Sequence, residues 1–170
     1  MKFFKAFFAV VLAIAAILTV ITVFVPEVDD RSETIIEKPL MTVFAGMLNT
    51  TIMTEWVNGL DSIEHSDGSL AMPGSQFKLH YKGNETHTVQ TLEILEMAPL
   101  RSIKFKLYDE TVEMVVSMDF ESVDEGTKIE SYVQMKGQGF VSRAFLPLLK
   151  SVIVEEGRKN MAAFKQLQEK

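Results

Sequence analysis

With 170 residues, the chain has room for one domain with a sizeable core. Its hydrophobic content of 47% is high, and much of the excess lies in the first 25 residues. It has no cysteine, which excludes disulfides, thiolate metal sites and cysteine nucleophiles. All 23 acidic residues but only 15 of the 17 basic residues follow Val25, so the remainder carries a net charge of −8 and is unsuited to nucleic acid, whose phosphates require a basic surface.

The N-terminal segment Ala6–Val25 contains twenty residues without a charge. As a helix it would span about 30 Å, the thickness of the hydrocarbon core of a bilayer, and Pro26 would end it. Two lysines precede the segment and acidic residues follow it, which favours a cytoplasmic N-terminus. We therefore predict a single-pass membrane anchor over residues 1–26 and an extracytoplasmic domain, periplasmic or extracellular, over residues 27–170.

Two other interpretations of this segment stay open. A cleaved signal peptide would have a shorter apolar core of about 7–15 residues and a small-residue cleavage site. The stretch Phe24–Glu27 is a poor site of that kind. A helix buried inside the domain is the second alternative, although a helix that is apolar on all sides at the very N-terminus is an unusual core element.

The first part of the domain is predicted to contain one strand and two short helices. Polar and then β-branched residues indicate a strand around Arg31–Glu37. Apolar residues at helical spacing predict a helix over Pro39–Leu48, with proline in the first turn, where its missing N–H costs nothing. Asn49-Thr50-Thr51 offers caps for a second short helix that carries Trp56 and is closed by Asn58-Gly59.

From Leu60 the hydrophobic period changes to two, which is typical of antiparallel strands joined by turns. The predicted strands are Leu60–Ser66, Gln76–Lys82, Glu85–Met97, Arg101–Tyr108, Val112–Ser122 and Thr127–Lys136. A helical pattern then returns over Phe140–Gln168, where Pro147 should kink the helix or mark its first turn. The predicted fold is α+β: a curved antiparallel sheet of about seven strands wrapped around a long C-terminal helix.

Four features in this order resemble the SRPBCC superfamily, the helix-grip fold that includes START domains and polyketide cyclases. They are the strand–proline–helix entry Ile35–Pro39, the short second helix ending near Trp56, Gly126-Thr127 opening the last strand, and the run from Gly139 into a helix ending Phe164–Leu167. The resemblance covers about residues 31–170. It implies a deep hydrophobic pocket between the sheet and the C-terminal helix, used across the superfamily for lipids, sterols and polyketides. The superfamily has no universal catalytic motif, so no active-site residue carries over.

The candidates for lining such a pocket face inward on the predicted elements. Flexible methionines suit a pocket that adapts to apolar ligands, although ordinary core filling explains each of them equally well. Four of the candidates, from Trp56 to Gln90, have polar groups that would orient a ligand. The full set is Trp56, Tyr81, Thr88, Gln90, Phe105, Met114, Met118, Met135, Phe145 and Leu149.

The three histidines are interpreted as surface residues. A two-residue turn at Gly83-Asn84 would place His80 directly opposite His87, as a metal site or an acid–base pair would require. The same register directs both rings to the face opposite Leu79, which is the solvent face. His65 precedes a turn and has acidic neighbours. We predict no catalytic residue, no metal site and no cofactor.

The leading functional interpretation is a membrane-anchored, non-enzymatic binder of a hydrophobic small molecule or lipid. A polyketide cyclase/dehydrase-like enzyme is one alternative, and a protein-interaction module of the cell envelope with a filled core is another. A pocket in the structure would separate the first two from the third. Buried, mutually bonded titratable groups inside it would separate the enzyme from the binder. The sequence determines neither the ligand nor the oligomeric state.

Overall fold

The computed structural model describes residues 27–69, 72–83 and 87–170, together with Phe4, Phe7 and residues 9–13, 16 and 19. Among these residues, no helix is both long enough and apolar enough to cross a lipid bilayer. On this finding the predicted localisation, a single-pass membrane protein with an extracytoplasmic domain, is wrong. Most of the predicted anchor, residues 1–26, lies outside the described residues.

The described residues from Glu27 onward form seven strands and three helices. In chain order these are β1 (Glu27–Ile36), α1 (Leu40–Leu48), α2 (Met53–Trp56), β2 (Leu60–Asp67), β3 (Gln76–Lys82), β4 (His87–Ala98), β5 (Ser102–Tyr108), β6 (Val112–Val123), β7 (Gly126–Gly137) and α3 (Gly139–Glu169). The predicted order of elements agrees with this. The largest difference in bounds is at β1, which starts four residues before Arg31 because its N-terminal half pairs with β7.

All seven strands belong to one antiparallel sheet in the order β1-β7-β6-β5-β4-β3-β2. Strands β2 to β7 form a meander, in which each strand pairs with the next, and β1 lies beside β7 at the other edge. Helix α3 contacts β1 and β7. The predicted fold class, a curved antiparallel sheet of about seven strands with a long C-terminal helix, is confirmed.

The junction between β1 and α1 is fixed by the first residues of β7. Thr127 is fully buried, and its Oγ1 donates a hydrogen bond to the carbonyl oxygen of Lys38 at 2.8 Å. Gly126 has φ +137°, and a Cβ at this position would collide with the carbonyl oxygen of Ile36. Two of the features behind the family resemblance, the strand–proline–helix entry and Gly126-Thr127, therefore contact each other directly.

A close-packed cluster closes one end of the concave face of the sheet. Val43 and Phe44 of α1 are buried in it, and the ring of Phe44 packs edge-on against that of Phe120 with centroids 5.1 Å apart. Phe164 of α3 is fully buried in the same cluster, and its ring centroid lies 5.1 Å from that of Trp56. The C-terminal half of α3 is thereby anchored to both the sheet and the short helices.

Helix α3 extends over 31 residues, but few of them are buried. Its last turns are tied to β1, since Lys165 Nζ donates a hydrogen bond to the carbonyl oxygen of Ile35 at 2.7 Å. Pro147 lies inside the helix rather than in its first turn, so the carbonyl of Arg143 lacks its usual helical donor. The buried residues of the helix are Ala144, Leu146 and Phe164.

The register of the β3–β4 hairpin differs from the prediction. Lys82 pairs with His87 and His80 pairs with Val89, so the two histidines do not lie opposite each other. The observed pairs are shifted by two residues relative to a turn centred on Gly83-Asn84. His80 instead lies near Glu64 on β2, with Nε2 and Oε2 3.6 Å apart and both side chains partly exposed.

Candidate ligand-binding cavity

Strand pairing aligns apolar side chains in rows across the inner face of the sheet. One row, from β4 to β7, consists of Leu92, Leu107, Met114 and Met135. The adjacent row consists of Ile94, Phe105, Val116 and Val133. Inward residues are two positions apart along a strand, so the rows lie about 6.6 Å from each other. Together they form a continuous apolar floor.

This floor and the helices above it bound a cavity of about 670 Å³. Helix α2 contributes Met53 and Trp56 to the wall, and α3 contributes residues such as Ile153 and Met161. Protein interiors are normally close-packed, and pockets for small molecules have volumes of about 300–1,000 Å³. The cavity therefore has the size and the lining of a site for an apolar small molecule.

Seven of the ten pocket candidates border this cavity, namely Trp56, Tyr81, Gln90, Phe105, Met114, Met118 and Met135. The other three lie elsewhere. Thr88 is exposed near the β3–β4 connection, and Phe145 and Leu149 are 47% and 50% exposed on α3. Almost every residue of this part of α3 is apolar, so helical spacing does not define which side faces the sheet. Ala144 and Leu146 occupy the buried side.

Two groups of lining residues were not among the candidates. The first is apolar. Its strand members, such as Leu79 and Ile103, follow the alternation that already predicted inward positions, and its helix members include Met53 and Met161. The second is polar and comes from β1, the segment after α2, and α3. No local pattern marks the polar group, because its members meet only once β1 has paired with β7 and α3 has crossed the sheet.

These polar residues form a rim where the cavity meets solvent. The backbone N–H of Asn58 donates to Asn160 Oδ1 at 2.9 Å, and its Nδ2 donates to Glu156 Oε2 at 3.1 Å. The hydrogen bond from Asn58 is the main reason that the pKa of Glu156 is lowered. Arg158 Nη2 lies 3.4 Å from Asp30 Oδ2. The rim thus joins α3 to β1 and to the segment after α2.

Few polar groups face the interior of the cavity. Tyr81 borders it, and burial raises the pKa of its phenol, which stays protonated at neutral pH. Gln90 also borders it, and its Nε2 donates to Asp109 Oδ2 at 3.0 Å. Trp56 Nε1 is buried and has no hydrogen-bond partner within the described part of the chain. These groups can form hydrogen bonds with a molecule in the cavity.

The charged groups of the lining belong to the rim. Asp30, Glu156 and Arg158 are bonded there and are partly exposed, so Tyr81 is the titratable side chain of the interior among the residues described. Within the same residues, no three or more histidine or carboxylate side chains are grouped to hold a metal ion. The arrangement can enclose and orient an apolar molecule.

Comparison with known proteins gives matches in structure but not in sequence. No protein-family model matches the sequence, and no curated protein matches it. The structure of Ara h 8.0201 matches with a TM-score of 0.70 at 13% identity, over 84% of this chain and 97% of that one. The Zhui aromatase/cyclase from Streptomyces sp. R1128 matches with a TM-score of 0.69 at 12% identity, over 84% and 94% of the two chains.

A third match is the protein CV1439 from Chromobacterium violaceum, with a TM-score of 0.64 at 12% identity over 84% of this chain and 98% of that one. Identities this low establish the fold alone. Each match nevertheless spans nearly the whole of the other chain, and the same order of strands and helices is present here. The chain therefore has an SRPBCC-type helix-grip fold, which confirms the resemblance seen in its sequence.

Proposed function

We propose that the chain binds a hydrophobic small molecule or lipid in the cavity between the sheet and α3. The observation that carries the proposal is the cavity itself, with its volume of about 670 Å³ and its floor of apolar rows. A domain that leaves this much apolar surface out of contact gives up dispersion energy that a close-packed core would have. This favours a ligand binder over an interaction module with a filled core.

The placement of the titratable groups favours a binder over an enzyme. General acid–base catalysis needs a group of suitable pKa within hydrogen-bond reach of the reacting atom. The charged lining residues are at the rim, and the interior offers the phenol of Tyr81 among the described residues. The alternative, a polyketide cyclase-like enzyme, is supported by the shared fold of the Zhui aromatase/cyclase and would have to use Tyr81 as its acid.

The proposal is tested on the full chain purified under native conditions. Its organic extract is compared by mass spectrometry with a mock purification and with Val116→Phe, which adds a ring to the floor of the cavity. We expect a stoichiometric apolar compound from the wild type that is depleted in the other two samples. A clean extract, with no thermal shift against a panel of lipids, sterols and polycyclic phenols, would contradict the proposal. Chemical conversion of the bound compound over time would favour the enzyme.

A further inference from the structure

We propose that the cavity selects apolar ligands that carry a hydroxyl group at one end, and that Gln90 and Tyr81 together hold this hydroxyl. The inference rests on the proposed function and adds the chemical class of the ligand. It follows from the hydrogen bonds around Asp109, from the strand register, and from the apolar inward residues that follow Gln90 along β4.

Asp109 is held as a carboxylate in the turn between β5 and β6. Its Oδ1 accepts hydrogen bonds from the backbone N–H of Thr111 at 2.7 Å, from Thr111 Oγ1 at 2.6 Å and from the backbone N–H of Val112 at 2.9 Å. Its Oδ2 accepts from Gln90 Nε2 at 3.0 Å. Desolvation raises the pKa of Asp109, but these hydrogen bonds outweigh it and the pKa is lowered overall.

The carboxylate of Asp109 fixes the orientation of the Gln90 amide. An ionised carboxylate only accepts hydrogen bonds, so the amide atom that meets it must be the nitrogen. The amide oxygen Oε1 of Gln90 has no hydrogen-bond partner among the described residues, and the side chain borders the cavity. Gln90 therefore offers an acceptor to a ligand.

Tyr81 supplies the complementary donor. Its hydroxyl has no hydrogen-bond partner within the described part of the chain, and burial raises its pKa further above neutral. Leu79 pairs with Gln90 and Tyr81 pairs with Thr88, so Tyr81 and Gln90 are diagonal neighbours on the same face of β3 and β4. Such neighbours have Cα atoms about 7–8 Å apart, within reach of a shared ligand atom for long side chains.

A hydroxyl is the group that satisfies both side chains at once. It accepts a hydrogen bond from Tyr81 and donates one to Gln90, whereas an ether or a ketone only accepts. A ligand carboxylate would only accept as well, and the charge of Asp109 behind Gln90 would repel it. Fatty acids and other anionic amphiphiles are therefore disfavoured relative to neutral alcohols and phenols.

The apolar body of the ligand would lie along β4, across the rows of the floor. Gln90, Leu92 and Ile94 are successive inward residues of β4, and all three border the cavity. The four steps along β4 from Gln90 to Ile94 span about 13 Å. This length suits a rigid skeleton of three or four fused rings, or an alkyl chain of similar length.

The inference is tested with three phenanthrenes that differ in the group at position 2, at one end of the skeleton: 2-phenanthrol, 2-methoxyphenanthrene and 2-methylphenanthrene. Trp56 is the single tryptophan of the chain and borders the cavity, so quenching of its emission in the full chain reports binding. At neutral pH we expect 2-phenanthrol to bind about tenfold more tightly than the methyl compound, with the methoxy compound in between.

The variant Gln90→Leu should reduce this preference to about threefold while the affinity for the methyl compound stays within about twofold. Tyr81→Phe should reduce it likewise, and serves as the test if Gln90→Leu does not fold. Gln134→Leu, on the exposed outer face of β7, is the matched control and should keep the wild-type preference. Equal affinity of the wild type for the three compounds would overturn the hydroxyl selection alone. No quenching by any of them would overturn the proposed function as well.

Discussion

Replacing valine by phenylalanine at two buried positions distinguishes the cavity from the close-packed core. Val116 and Val43 are 5% and 0% exposed, but of the two only Val116 borders the cavity. Val116 lies on β6 between Phe105 and Val133, and Val43 lies in α1 within the cluster around Phe44. Both variants add the same atoms, so any difference between them reports the space available at each site.

The expected changes have opposite signs. At Val116 the ring enters the cavity, and the additional burial of apolar surface should stabilise the fold by about 1 kcal/mol. For a chain of this length that raises Tm by about 2–4 °C. At Val43 no cavity accommodates the ring, and overpacking should lower the free energy of unfolding by about 1–3 kcal/mol.

Urea denaturation followed by far-ultraviolet circular dichroism measures both changes, and titration with 2-phenanthrol measures the loss of ligand space. We expect Val116→Phe to bind at least tenfold more weakly than the wild type, because the ring occupies part of the floor. If Val116→Phe were destabilised as much as Val43→Phe and kept wild-type affinity, the cavity would not be a binding site in solution. The reasoning behind the proposed function would then be refuted.

Three further predictions concern stability, each measured by urea denaturation. Thr127→Val keeps the side-chain shape but leaves the Lys38 carbonyl without its donor, so the free energy of unfolding should fall by about 1–3 kcal/mol. An unchanged urea midpoint would contradict this. Phe164→Ala should lower the free energy of unfolding by about 3–5 kcal/mol. Phe145→Ala, at a site that is 47% exposed, should lower it by less than about 1 kcal/mol. Equal losses would contradict the placement of α3. The pKa of Asp109 is lowered in the fold, so its contribution is present above the unfolded pKa of about 3.8 and is lost as pH falls through the folded value. In Asp109→Asn the free energy of unfolding should therefore fall less steeply with decreasing pH below about pH 4. The same pH dependence as in the wild type would contradict the lowered pKa of Asp109.

The strands were predictable because their signal is local. Alternation of apolar and polar residues marks β3 at the bounds that the structure has, and it also identifies inward residues such as Phe105 and Met118. The register in which two strands pair depends less on local sequence. Between β3 and β4 the sequence has a glycine followed by polar residues, and this pattern does not determine which residues of the two strands pair. This explains the misplaced pairing of His80.

The candidate site was predictable only where it is built from strands. Which side of α3 faces the sheet depends on tertiary packing. The stretch from Phe145 to Leu149 is almost entirely apolar, so its sequence does not define an inner side. Its orientation is fixed by the packing of Leu146 against Val28 and Met135. The sequence around Asp109 did not indicate a contact with the site either. It lies in a turn, and it meets Gln90 only because the pairing of β4 with β5 brings the two together.

The way in which α3 is anchored explains how the fold keeps a large cavity. Leu146 is buried in a small cluster with Val28 and Met135, and Phe164 is buried in the main cluster around α1. These two anchor residues are 18 positions apart, about 27 Å along a helix. The residues between them lie over the apolar floor, and a Cβ at Gly157 would meet nothing within 4 Å. Closing the cavity would require the middle of α3 to bend toward the floor between these two fixed points, so the packing at the two ends keeps the middle open.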